Sequence, residues 1–161
     1  MTSTPILSED RKVRGYQIQV FLITFFAYAS MHVARITWST VKPDFSEFMG
    51  QSSVFMGTED ALFLGTYAVS LYINGTMEDR LNVKKCLVTG QILTGLVFTL
   101  MYVCSIYRVT STPLWCFLWM SNGVAQSFSW PGLLKVMSNW FPAAGRGVVL
   151  GIWSCNIGLG N

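Results

Sequence analysis

The sequence predicts an all-α integral membrane fold, and three observations carry that reading. Of 161 residues 52% are hydrophobic and only 12% charged, too apolar a balance for an ordinary soluble domain of this length. The apolar residues gather into runs at about 17–39, 61–77, 86–107 and 114–136, each about as long as a bilayer-crossing helix needs. A fifth run opens near Gly147 and continues to Asn161. The expected architecture is therefore four complete transmembrane helices and the start of a fifth, and the chain is expected to be a fragment.

Residues 1–16 form a polar segment with Arg11, Lys12 and Arg14 just before the first run. A cleaved leader would have a shorter apolar core and a small-residue cleavage site, so this run reads as a retained first helix. Its polar residues return at helical spacing: Thr24, Tyr28, His32, Arg35 and Ser39. At about 100° per residue they share an arc of about 80°, one wet stripe on an apolar helix. A guanidinium near hydrocarbon costs roughly 2.5 to 3.5 kcal/mol on insertion scales, a cost met by a partner or a water-filled path. An anion is the natural partner.

Two readings of Arg35 stand side by side. Counted from Gln17 at about 1.5 Å per residue it lies about 27 Å along, close enough to one surface to reach headgroups. A helix continuing past Trp38 would set it deeper, with the aligned polar residues around it. His32, the single histidine, could donate to an anion, titrate, or bond a neighbouring helix. Tyr28 could line a cavity or satisfy its hydroxyl inside the bundle.

The stretch Thr40–Asp60 holds Pro43, Gly50, Gly57 and several acids, and is expected to be an external loop with a short surface helix around Asp44–Met49. The turn Glu78–Lys85 is short and charged, which makes the second and third runs an antiparallel hairpin. The third run exits at Tyr107–Arg108, and Thr110–Pro113 turns the chain back. In the fourth run Asn122, Gln126 and Ser129 share an arc of about 60°. Pro131, after Trp130, should loosen that helix about a turn earlier. Lys135 follows near the end of the run, where a snorkelling lysine is the plain alternative to a functional one. Gly147, Gly151, Gly158 and Gly160 offer small surfaces for close helix packing.

Charge placement orients the chain. With a cytoplasmic N-terminus, Arg11, Lys12, Arg14, Arg80, Lys84, Lys85, Lys135 and Arg146 fall on the cytoplasmic side, leaving Lys42 and Arg108 outside. The net charge of +3 is accounted for by topology, and no nucleic-acid partner is implied. The four cysteines, Cys86, Cys104, Cys116 and Cys155, lie in or beside apolar runs without metal-type spacing and read as small packing residues, although Cys104 and Cys116 could approach one another. With one histidine and no paired carboxylates in the interior, an enzyme, a metal site or a cofactor is disfavoured. Asn74-Gly75-Thr76 spells a glycosylation acceptor but falls at the cytoplasmic end of the second run.

Two motifs sharpen the reading. Gly75, Asp79, Arg80 and Lys84 match the loop signature of the major facilitator superfamily, Gly-x-x-x-Asp-Arg-x-Gly-Arg-basic, while Asn82 and Val83 depart from it. The stretch Asn122-Gly123-Val124-Ala125-Gln126, then Trp130-Pro131, Lys135, Asn139-Trp140-Phe141 and Gly145-Arg146-Gly147, closely resembles the fourth span and following loop of the sugar-phosphate exchangers. Tyr28-Ala29-Ser30 with Arg35 is similar to their first span, so the resemblance runs from about Val20 to Asn161. It implies an organophosphate:phosphate antiporter working by alternating access between two six-helix halves, of which 17–161 would be part of the amino half. It further implies that Arg35 contacts phosphate, that Tyr28, His32, Asn122 and Gln126 face the cavity, and that a carboxyl half supplies a second cation. The endoplasmic reticulum membrane is the compartment it suggests. Ile36 stands where relatives often carry lysine, and His32 where tyrosine can occur, which leaves the choice of organophosphate open. A truncated or pseudo-transporter acting as a membrane binding or assembly partner is the alternative.

Overall fold

The computed structural model describes residues 5–160, all of whose regular elements are helices. In chain order these are α1 (Pro5–Met49), α2 (Ser53–Arg80), α3 (Val83–Ile106), α4 (Thr112–Gln126), α5 (Ser129–Trp140), α6 (Arg146–Trp153) and α7 (Asn156–Gly160). Of the polar N-terminal segment, residues 1–4 lie outside the described residues. Two stretches, Arg11–Met49 within α1 and α3, are long and apolar enough to cross a membrane. The chain divides into two compact units, one formed by residues up to Ala34 and from Leu134 onward, the other by Arg35–Leu133.

The expected loop at Thr40–Asp60 is instead almost wholly helical. α1 continues through Pro43 to Met49, absorbing the short surface helix expected at Asp44–Met49, and α2 begins at Ser53. Proline removes one ladder bond, but side chains on both sides hold the segment. Lys42 pairs with Asp60, and Trp38 and Phe45 pack edge to face at 5.1 Å. The reversal takes only Gly50, Gln51 and Ser52. Gly50 adopts φ +64°, a conformation glycine reaches without a Cβ clash, and Ser52 caps α2 by accepting from the Phe55 N–H at 3.1 Å.

The Glu78–Lys85 hairpin is as tight as expected. Only Leu81 and Asn82 separate α2 from α3, and the Asn82 carbonyl oxygen of the side chain accepts from the Lys85 N–H at 3.3 Å. The expected loosening before Pro131 is also present, since α4 ends at Gln126 and α5 starts at Ser129. Asn74 Nδ2 of α2 donates to Ser127 Oγ at 2.6 Å, seating that break against a neighbouring helix. At the other end of the hairpin Arg108 takes a left-handed φ of 48° and lays its guanidinium 4.2 Å from the Phe48 ring centroid.

In the Arg35–Leu133 unit the core is aromatic. Trp115 and Trp119 are buried with Phe63, Val97 and Met101, and Trp38 lies 4.7 Å from Trp119. Glycine permits the closest helix approaches here: a Cβ on Gly123 would meet the Phe63 carbonyl oxygen at 2.7 Å, and one on Gly90 would meet the Ala125 carbonyl at 2.9 Å. Leu64, Val69 and Tyr72 of α2 and Leu96 and Leu100 of α3 remain exposed, an apolar exterior suited to hydrocarbon. The other unit centres on Trp153 and Met137, both fully buried. Its small-residue expectation holds at Gly160, where a Cβ would meet the Ala29 carbonyl at 2.7 Å. At Gly147, Gly151 and Gly158 a Cβ would meet nothing within 4 Å among the described residues, so no close approach within these residues depends on those three. The four cysteines are free thiols, with Cys86 buried and Cys155 exposed.

Candidate phosphate site

α1 carries Arg35 as a half-buried residue well inside a helix that continues past Trp38 to Met49. α4 faces it with two amides one turn apart, Asn122 and Gln126, at 0% and 1% exposure. Gln126 Oε1 accepts from Arg35 Nε–H at 2.7 Å, and Gln126 Nε2 donates to Asn122 Oδ1 at 3.1 Å. The chain of bonds has a direction: the Asn122 oxygen fixes the Gln126 amide, whose oxygen must then point at the guanidinium. A neutral amide can hold Arg35 in this way without neutralising it.

Two rings complete the seat. The Arg35 guanidinium carbon lies 4.8 Å from the Tyr67 ring centroid and 5.3 Å from that of Phe63, within cation–π range. Both rings come from α2, and they stack on one another with centroids 5.9 Å apart. With Nε engaged and the face of the guanidinium against rings, the Nη donors take no hydrogen-bond partner among the described residues. Those donors form a planar fork, the geometry that grips two oxygens of a phosphate or carboxylate. Tyr67 and Phe63 were missed by the sequence reading. Tyr67 shares its run with Thr66, Ser70, Asn74 and Thr76, polar residues that make a signal weaker than the stripe on α1.

Tyr28 and His32 meet in the other unit, edge to face at 4.9 Å. Tyr28, 6% exposed, also stacks on Trp153 at 5.6 Å. Trp153 Nε1–H donates to Thr24 Oγ1 at 3.1 Å, so three of the five residues of the polar stripe belong to one packed cluster. Ser39 is exposed. A groove of about 510 Å³ lined by Gln17, Phe21 and Ile152 lies in the same unit and includes none of the predicted site residues.

The loop-signature residues sit at the α2–α3 hairpin. Gly75 faces Pro131, whose ring carbon a Cβ there would meet at 3.9 Å, while Asp79, Arg80 and Lys84 are exposed. Trp130, Pro131 and Lys135 all belong to α5 beyond the break, half-buried. Arg146 caps the end of that helix, donating from Nε to the Phe141 carbonyl and from Nη2 to the Ser138 carbonyl, each at 2.9 Å.

Comparison with known proteins gives the family of the chain. The family described as Major Facilitator Superfamily matches residues 20–161. Sugar phosphate exchanger 3 of Homo sapiens is 37% identical over 172 residues, covering 91% of this chain and 35% of the relative. The protein of the same name from Bos taurus is 35% identical, again covering 91% of this chain and 35% of the relative. Putative glycerol-3-phosphate transporter 2 of Arabidopsis thaliana is 33% identical over 158 residues, covering 92% of this chain and 31% of the relative. The chain thus spans about a third of the length of these curated relatives. No solved structure gives a significant match.

Proposed function

Because the chain belongs to the major facilitator superfamily, a class of integral membrane proteins, we propose that it is the amino-terminal part of a secondary transporter for a phosphorylated sugar or related organophosphate. The observation that carries this reading is the Arg35 seat: Nε held by Gln126, the guanidinium face against Tyr67, and the Nη fork left for an anion. The names of relatives, sugar phosphate exchanger and glycerol-3-phosphate transporter, give the same class of cargo.

The chemistry is binding, not bond making. Phosphate oxygens at the Nη fork would offset a charge that is costly near hydrocarbon, and the doubly charged ester and inorganic phosphate both present such oxygens. Exchange follows if only the loaded site switches readily between inward- and outward-facing states. A second cation from the remaining two-thirds of the protein would balance the dianion. Four spans at about 17–39, 61–77, 86–107 and 114–136 and a fifth from about Gly147 fit this scheme. In it the α4–α5 break at Ser127–Phe128 lies inside the fourth span. The N-terminus is cytoplasmic in this reading, supported by the lysine and arginine bias, and the endoplasmic reticulum membrane is its compartment by analogy with the exchangers.

Labelled phosphate uptake by proteoliposomes of the complete protein tests it. Uptake that requires a preload of phosphate or a phosphate ester is the expected result. Folded, inserted protein giving no uptake with any of those preloads would overturn the proposal.

A further inference from the structure

At the α1–α2 end remote from the Asp79–Lys84 hairpin three side chains interact: Lys42 from α1, and Glu59 and Asp60 from α2. Two of them form an ion pair, Lys42 with Asp60, with side-chain exposures of 20% and 47%. The lysine ammonium also lies 5.9 Å from the Trp38 ring centroid. The third behaves differently. Glu59 is 0% exposed, and neither carboxylate oxygen has a hydrogen-bond partner among the described residues.

A buried carboxylate that accepts no hydrogen bond is not stable as an anion, because nothing replaces the water it has lost. The packing seen here is therefore that of the neutral acid. Burial pushes the Glu59 carboxyl from 4.5 up to about 7, against the attraction of Lys42 and with the help of Asp60. Asp44 and Glu47 of α1 and Arg108, over the Phe48 ring, share this end of the helices, but the charges that act on the Glu59 carboxyl are those of Lys42 and Asp60. α4 contains no Asp, Glu, Lys, Arg or His, and the two lysines of α3 lie in its first turn, beside the far end of α2.

We propose that Glu59 is a proton-binding site outside the phosphate seat: it holds a proton in the α1–α2 packing seen here, and on releasing it to water draws Lys42 away from Asp60. The ammonium is already tethered between a carboxylate and an indole, and Asp60, nearly half exposed, can be left to water at little cost. Glu59 precedes the apolar run that starts at Ala61, so protons reach it from the aqueous side of the helix end. Loading this site favours the α1–α2 contact described here over any arrangement in which that contact opens. The inference is independent of which organophosphate is carried.

Infrared difference spectra of the complete, reconstituted protein, recorded between pH about 5.5 and about 8.5, test it. Wild type should lose a protonated-carboxyl band with a midpoint near neutrality, and Glu59→Gln, which mimics the neutral acid in shape, should lack that band. Lys42→Met should move the midpoint up and Asp60→Asn should move it down. Should Glu59→Gln fail to accumulate, those two opposite shifts decide the matter. A band that persists in Glu59→Gln, or a midpoint that neither neighbour moves, would overturn the proposal.

Discussion

Arg35 and Gln126 stand 91 residues apart in sequence and are joined by one hydrogen bond, 2.7 Å from Nε to Oε1. The bond turns a flexible side chain into a fixed one, and it engages Nε–H while leaving Nη1 and Nη2, through which a guanidinium can grip phosphate end-on. An oxygen of the wrong charge in that position would change the chemistry.

Gln126→Glu should therefore weaken phosphate binding more than Gln126→Ala does. The alanine variant frees Arg35 and should raise the apparent KM roughly tenfold, the worth of a hydrogen bond to a charged group. The glutamate variant pairs with the guanidinium outright and competes with the anion. KM values for phosphate exchange across the three proteins check the order.

Tyr67 supports the guanidinium through its ring face at 4.8 Å, so the ring matters more than the hydroxyl. Tyr67→Phe should keep phosphate exchange within about twofold, whereas Tyr67→Leu should lose roughly three- to tenfold in affinity, the range of a partly desolvated cation–π contact. The comparison is made in proteoliposomes at matched protein density.

The α2–α4 contact depends on a missing side chain. Gly123→Ala would press a methyl group on the Phe63 carbonyl, 2.7 Å away, and on the Tyr67 amide nitrogen at 3.0 Å. Overpacking of this kind costs about 1–3 kcal/mol, and it displaces the two rings that hold Arg35. Gly95→Ala has open space around it and should leave stability unchanged or slightly raised. Thermal unfolding in detergent, followed with phosphate exchange, separates the two.

Stability should fall with rising pH because of Glu59. Its carboxyl is raised from 4.5 to about 7 by burial, so the folded protein binds this proton more tightly than the unfolded chain does. The contribution is full below about pH 4.5 and is lost as pH rises through about 7. The unfolding midpoint of wild type should decline across that window, and Glu59→Gln should show a shallower decline.

Much of this was legible in the chain. The stripe on α1 pointed to Arg35, the spacing of Asn122 and Gln126 put both on one face of α4, and Pro131 marked the break seen at Ser127–Phe128. What the pattern could not give was the long-range pairing. Pro43, two glycines and several acids are the usual signs of a loop, yet contacts from Trp38, Phe45 and Asp60 keep 40–49 helical. Glu59 at the same end of the helices is fully buried, an acid that local composition assigns to solvent. Tyr67 was hidden for the opposite reason, since one tyrosine in an apolar run looks like packing until the guanidinium is placed above it. Of the small residues near the end of the chain, only Gly160 has a close approach among the described residues.

Arg35 carries the proposed phosphate site. Phosphate exchange by the complete protein in proteoliposomes, compared among wild type, Arg35→Lys and Arg35→Ala, tests its role most directly. A loss of about 100-fold or more is expected in Arg35→Ala, as when one member of a desolvated charge pair is removed. Arg35→Lys, which keeps the charge without the fork, should retain partial activity. Arg35→Ala protein that is folded and inserted and exchanges phosphate with wild-type KM and rate would contradict that role.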